Sequence, residues 1–281
     1  MNVKTRLAAL DLVPRKKKGQ NFLKDPSAAR AIADFSGAGA GEKVLEIGPG
    51  LGALTQALLA LTPDICVVEL EEKLCDELRR TLFARHPERV FCADIREFSA
   101  QCGAEALGAE KITVVSNVPY SISTDVVLWV LTQRSFIKSA CLLLQEEFAA
   151  RLGADPGERA CGSLSILRAM YADVDLGFSV GGEHFYPRAG VSSRLIKLRI
   201  RKEPALAVAD PVYFEQVVRA AFSHRRKTLL NSLTGSSLGI AKKRIDEALH
   251  TAGIAGTRRA ENLTLEEFAA LALALGEIKE K

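Results

Sequence analysis

Short apolar runs alternate with longer stretches of helical spacing through the first two thirds of the chain. The strand-like runs are Val44–Ile47, Ile65–Leu70, Val90–Ala93, Ile112–Ser116 and Ala140–Leu144. Ser27–Phe35, Ala53–Leu61, Leu74–Ala84 and Thr124–Thr132 carry apolar residues on one helical face. Continuous apolar runs bounded by turn residues are what strands buried on both faces look like, and their alternation with helices predicts a parallel sheet covered on both sides.

The pattern changes after a helix-like segment, Leu164–Tyr171. Asp173–Val180 and Arg194–Arg201 read as two more strands around the loop Gly181–Ser193, an expected antiparallel hairpin at the sheet edge. Residues 202–211 read as a linker. From Val212 onward only helical periodicity remains, in Phe214–Phe222, Leu238–Ala252 and Leu265–Leu275, the last opened by a cap-like Thr264 and two glutamates. The expectation is therefore an α/β domain over residues 1–201, with a basic arm at 1–26, and a small all-helical domain over 212–281.

Composition narrows the function. The 281 residues are 48% hydrophobic and 26% charged, enough for a full core, and the net charge of +4 is too small for bulk attraction to nucleic acid. Any such affinity must come from local patches, for which Lys16, Lys17, Lys18 and Arg225, Arg226, Lys227 are the candidates. Runs of charge also serve simply as solvated surface. The six cysteines form no C-x-x-C pair, and several lie in apolar runs, so buried reduced thiols are expected. The four histidines are scattered, with no metal-ligand spacing. No apolar run reaches about 18 residues, so a cytoplasmic protein with no membrane partner is expected.

Val44–Gly52 is a strand running into a glycine-rich turn and a helix. Glycines let backbone approach a ligand, and the helix start offers free N–H groups. The next strand ends in Glu69, placed to hold ribose hydroxyls, and the third in Asp94, able to accept from an adenine amine. Gly48 and Gly50 also satisfy a relaxed dinucleotide fingerprint, which leaves an NAD-dependent oxidoreductase open. Glu46 favours S-adenosylmethionine, because a carboxylate there suits a cationic methionine end better than a pyrophosphate. As alternatives, Glu69 could complement a helix dipole and Asp94 could cap the segment at Ile95.

Asn117-Val118-Pro119-Tyr120 follows the fourth strand, where a parallel sheet opens onto its ligand crevice. An amide and a peptide carbonyl can accept the hydrogens of an exocyclic amine, while an aromatic ring supplies a flat face. A plain strand-to-helix turn has the same letters.

Taken in order with Gly19-Gln20-Asn21-Phe22-Leu23, Phe222–Leu229 and Arg259-Ala260-Glu261-Asn262-Leu263, these motifs closely resemble the KsgA-type ribosomal RNA adenine dimethyltransferases, nearly end to end. The resemblance implies a Rossmann-like methyltransferase domain with a helical domain behind it. It implies methyl transfer from S-adenosylmethionine to the N6 amines of two adjacent adenosines near the 3′ end of 16S rRNA in the small (30S) subunit; in-line transfer of this kind needs no metal, and a monomer is expected. Asn21 and Leu23 would close over the cofactor, Gly48 would contact its methionine part, Glu69 its ribose and Asp94 its adenine. Asn117 would lie between cofactor and target amine, with the Pro119 carbonyl as second acceptor. Tyr120 and Phe185 would stack on the two faces of the target base, although Phe185 could equally be a core residue.

Two departures stand out. The family's F-x-P-x-P-x-V-x-S stretch reads Phe185–Ser193 here, with Ala189 in place of the second proline and Gly190 after it, so a looser loop is expected. Val118 stands where leucine is common. The rival readings are an Erm-type methyltransferase of large-subunit rRNA and a ribosome assembly factor whose methylation is secondary.

Overall fold

The computed structural model describes residues 2–14, 19–224 and 226–279. The chain divides into two compact units. One is Met1–Ala149 with Val174–Ile200, and the other is Ala150–Asp173 with Arg201–Lys281. The expected single stretch 1–201 is thus interrupted. The segment 150–173 belongs with the helical unit, because its helix buries Ile166, Leu167 and Met170 rather than presenting a sheet-facing stripe alone.

The first unit opens with α1 (Val3–Ala9), the two-residue β1 (Phe22–Leu23) and α2 (Pro26–Ser36). Then come β2 (Val44–Ile47), α3 (Ala53–Leu59), β3 (Ile65–Glu69), α4 (Glu72–Arg80), β4 (Val90–Cys92), α5 (Ala100–Ala106), β5 (Ile112–Asn117), α6 (Ser123–Thr132) and β6 (Ile137–Gln145). After α7 (Glu146–Gly153) and α8 (Ser163–Tyr171), the chain returns through β7 (Ala172–Val180), β8 (Phe185–Tyr186) and β9 (Ser193–Ile200).

Seven strands form one sheet in the order β4-β3-β2-β5-β6-β9-β7. β2 pairs in parallel with both β3 and β5, so the order of connection reverses at β2 and opens a crevice beyond its C-terminal end. β9 pairs antiparallel with β6. The expected β7–β9 pair is present, with β9 inserted beside β6 and β7 outermost; the ion pairs Asp173–Arg201 and Asp175–Arg199 step along the two strands in opposite directions. These strands form where they do because Val44, Ile65, Val67, Val115, Cys141 and Leu143 are covered by Ile32, Leu54, Leu58 and Leu78 from the helices. Burial of such side chains at about 25 cal/mol per Å² is the main force holding the layers.

The helical unit continues with α9 (Pro211–Ala221), α10 (Leu229–Thr234), α11 (Lys242–Thr251) and α12 (Leu265–Lys279). Asp210 caps α9 through the Tyr213 N–H at 2.9 Å. Phe214, Leu233, Leu249, Phe268 and Leu275 fill the core, where the Phe222 and Phe268 rings stack 5.9 Å apart. Cys66, Cys75, Cys141 and Cys161 are buried as expected, whereas Cys92 and Cys102 are exposed, the former at the frayed end of an edge strand. No described helix is long and apolar enough to cross a membrane.

Candidate active site

β2 runs into a turn in which Gly48, Gly50 and Gly52 have φ of +65°, +57° and +81°. Side chains rarely adopt this left-handed region. At Gly50 the demand is doubled, since a Cβ there would stand 3.0 Å from the Phe22 ring. The Gly48 N–H donates to the Val68 carbonyl at 2.9 Å, which clamps the turn onto β3.

Glu69 ends β3 and closes the turn from the other side. Its carboxylate accepts from the N–H groups of Gly50 (3.1 Å), Leu70 (2.9 Å) and Glu71 (3.0 Å). Burial raises its pKa above the ordinary value, and those three donors oppose the rise. The position read as ribose-binding is therefore rigidly held.

Glu46, in the middle of β2, is 1% exposed. Burial pushes its carboxyl up to about 8, the Thr55 hydroxyl pulls it back in part, and the Glu69 charge adds to the rise. Oε2 of Glu46 and Oγ1 of Thr55 are both buried without a well-formed hydrogen bond among the described residues. The Thr55 hydroxyl is thus near enough to stabilise the Glu46 carboxylate, but in a poorly aligned contact. A buried, poorly satisfied carboxylate oxygen in a cavity wall demands a donor, preferably a cationic one. The residues fit the ammonium end of an amino-acid-bearing cofactor such as S-adenosylmethionine and fit a pyrophosphate poorly.

β5 delivers the other wall. Asn117 pairs with Leu143 across β5 and β6, and the Val118 N–H donates to the Leu143 carbonyl at 3.2 Å. Asn117 Nδ2 donates to the Asn21 carbonyl at 3.0 Å, and Asn21 Nδ2 to the Gly19 carbonyl at 3.3 Å. With the donor end of the Asn117 amide committed, Oδ1 is left as the acceptor. The Pro119 carbonyl, expected as a free second acceptor, already takes the Ile122 N–H at 3.0 Å, which leaves it one lone pair. The Tyr120 hydroxyl shares a hydrogen bond of 2.8 Å with Ser193 Oγ, which fixes the half-buried ring.

One cavity is lined by residues 19–23, Glu46, residues 48–51, Glu69 and residues 117–120. It brings together Asn21, Leu23, Glu46, Gly48, Gly50, Glu69, Asn117, Pro119 and Tyr120. Asp94 is not among the lining residues. Its carboxylate accepts from Arg96 Nε at 3.0 Å, Nη2 at 2.5 Å and the backbone N–H at 3.0 Å, and that pairing lowers its pKa.

Phe185 corrects the stacking assignment. It is 1% exposed and lies opposite Leu23 in the β1–β8 pair, inside the core with Ala189. In this structure both ring faces belong to the core. The loop after it is also tighter than expected. The Ala189 N–H donates to the Gly182 carbonyl at 3.1 Å, a bond that proline at this position lacks.

Lys16, Lys17, Lys18 and Arg225 lie outside the described residues. Arg226 and Lys227 are exposed in the turn before α10, and neither forms an ion pair with a described residue. No group of three or more potential metal ligands occurs among the described residues. Sequence reasoning missed Thr55, Arg96 and Ser193. Thr55 faces Glu46 one helix turn past the glycines, a spacing that could have flagged it; Ser193 reaches Tyr120 only through the fold.

A family model described as ribosomal RNA adenine dimethylase matches residues 13–276. The ribosomal RNA small subunit methyltransferase A of Moorella thermoacetica is 40% identical over 270 residues, covering 94% of this chain and 93% of its own. That of Geobacter sulfurreducens is 38% identical over 257 residues, covering 92% and 93%. Among solved structures, the 23S rRNA methyltransferase ErmE aligns over 91% of this chain and 100% of its own, with a TM-score of 0.63 and 26% identity. A dimethyladenosine transferase from Plasmodium falciparum shares the fold over 91% and 98%, with a TM-score of 0.71 and 22% identity. The family model and these relatives match nearly the full length of the chain, and the chain belongs to the ribosomal RNA adenine dimethylase family.

Proposed function

We propose that this protein transfers methyl groups from S-adenosylmethionine to the N6 amines of two adjacent adenosines near the 3′ end of 16S rRNA, giving N6,N6-dimethyladenosine. The substrate is the small (30S) subunit, and the enzyme acts as a cytoplasmic monomer with a part in subunit biogenesis. The observation that supports this reading is the Asn21–Asn117 hydrogen bond, which holds the amide by its nitrogen in the cavity wall and leaves Oδ1 as an acceptor.

Bound S-adenosylmethionine supplies an electrophilic methyl on a positively charged sulfur. Every other requirement falls to the chain. An adenine amine is a weak nucleophile because its lone pair is delocalised into the ring. Asn117 Oδ1 and the second lone pair of the Pro119 carbonyl accept its two hydrogens and hold the nitrogen with its lone pair outward. Positioning of this kind is worth a large effective molarity. The Tyr120 ring, locked by Ser193, supports one face of the base. Leu23, Leu51 and Val118 are buried around the cavity and exclude water.

The second methylation explains the Pro119 arrangement. A monomethylated amine has one hydrogen left, which Asn117 Oδ1 holds. The Pro119 carbonyl then loses its amine partner but keeps the Ile122 N–H, so it is never left unpaired. Relatives named as small-subunit enzymes match at 35–40% identity, against 26% for ErmE, which favours the 16S substrate over the 23S alternative.

The test is incubation with labelled methyl donor and undermethylated small subunits, with large subunits in parallel, followed by nucleoside analysis. Dimethyladenosine in the small subunit alone is expected. Label confined to 23S rRNA would overturn the proposal.

A further inference from the structure

Asp94 is the one member of the proposed cofactor set that stands outside the cavity lining, and both of its carboxylate oxygens are engaged by Arg96. An ionised carboxylate has about four lone-pair sites. Here Oδ1 takes the Arg96 backbone N–H and Nε, and Oδ2 takes Nε at 3.1 Å and Nη2. Nε carries a single hydrogen shared between the two oxygens, so the guanidinium lies across both of them and an adenine amine has to compete with it for the carboxylate. The backbone bond is separate from the guanidinium bonds, so Asp94 keeps its orientation when the side chain swings away. That side chain is 58% exposed and free to move into solvent. Its other acidic neighbours are Asp125, in the first turn of α6, and Glu97, both of which favour its charge. Asp125 offers the released guanidinium a second acid.

We infer that Arg96 is a positioning residue that competes with the donor's adenine for Asp94, so that the Arg96–Asp94 pair and the adenine–Asp94 contact weaken one another. This rests on the reading of Asp94 as the adenine acceptor. Arg96 thereby sets the affinity for every ligand with an adenine end, whether methyl donor or demethylated product. It favours release of the product between the successive transfers that dimethylation requires.

S-adenosylhomocysteine, which cannot react, is the probe. It is titrated calorimetrically into the wild type, Arg96→Ala, Asp94→Asn, the double variant of these two and Asp94→Ala, at low and high salt. Arg96→Ala is expected to tighten binding about threefold, the scale of an exposed ion pair that no longer has to be broken. The gain should shrink as salt screens the pair in the wild type and vanish in the Asp94→Asn background. Unchanged or weaker binding by Arg96→Ala would overturn the inference, as would an equal gain with and without Asp94. Should Asp94→Ala, which has no side-chain acceptor, bind as tightly as the wild type, Asp94 is not the adenine acceptor, and that earlier reading fails first. The two failures are distinguishable because only the second leaves the Asp94→Ala variant unaffected.

Discussion

The two walls of the cavity treat their polar groups in opposite ways. On the Asn117 side the side-chain polar groups have partners: Asn117 Nδ2 donates to Asn21, Asn21 Nδ2 to Gly19, and the Tyr120 hydroxyl shares a hydrogen bond with Ser193. On the Glu46 side a buried carboxylate oxygen and a buried hydroxyl have no well-formed hydrogen bond among the described residues. The first wall is preorganised, so its chemistry comes from a geometry settled during folding. The second carries an unmet electrostatic demand that a cationic ligand end would satisfy. On the proposed function, the first wall governs rate and the second affinity, so a change in either should leave the other intact.

Glu46→Gln should have the largest effect on the affinity side. Removal of the carboxylate is expected to weaken S-adenosylhomocysteine binding by roughly tenfold or more, the scale of a charge-assisted hydrogen bond. It should also raise the stability of the ligand-free protein at neutral pH. The sign follows from linkage. Glu46 titrates at about 8 when folded against 4.5 as its ordinary value, so the folded state holds the extra proton between those limits. Its share of stability is full below about 4.5 and is lost as pH climbs to about 8. Thermal melts from pH 5 to 8 should therefore fall less steeply in the variant. A cationic ligand end favours the ionised carboxylate, so ligand binding near pH 7 should release a proton. Calorimetry in buffers of different ionisation enthalpy would read that release directly.

Tyr120→Phe sharpens the contrast from the other wall. It keeps the ring and removes the bond to Ser193, at an expected cost of about 1 kcal/mol in stability. Transfer should slow several-fold while ligand affinity holds, whereas Tyr120→Ala should lose far more transfer. Equal rates for the two variants would show that the ring face has no part in holding the base.

The smallest effect belongs to the helical unit. Replacing Arg226 and Lys227 together by alanine should lower the slope of log affinity for RNA against log salt by about 1.5, the share of two phosphate contacts. An unchanged slope would class both as solvated surface.

Much of the sheet was legible because its strands are buried on both faces. Val44–Ile47 needs no partner to be recognised, since four apolar-dominated positions between turn residues have few other uses. β6 begins at Ile137, earlier than its apolar run suggests, because Lys138 is exposed and Ser139 sits in the pairing register. β1 and β8 are invisible to periodicity: two residues each, paired across the full depth of the sequence. That blindness is also why Phe185 could not be assigned a face. Asn117, Glu69 and the glycines were legible because strand ends place ligand groups. The Arg96–Asp94 pair was not, because a two-residue separation says nothing about where a long, flexible side chain will settle.

Asn117 provides the most direct test of the account. Wild type and Asn117→Ala should be brought to equal S-adenosylmethionine occupancy with undermethylated small subunits and followed through a single turnover. The account predicts ligand affinity within about twofold and transfer reduced on the order of a thousandfold, as befits a group that positions the amine rather than the donor. Dimethyladenosine formed by the variant at close to the wild-type rate would contradict it.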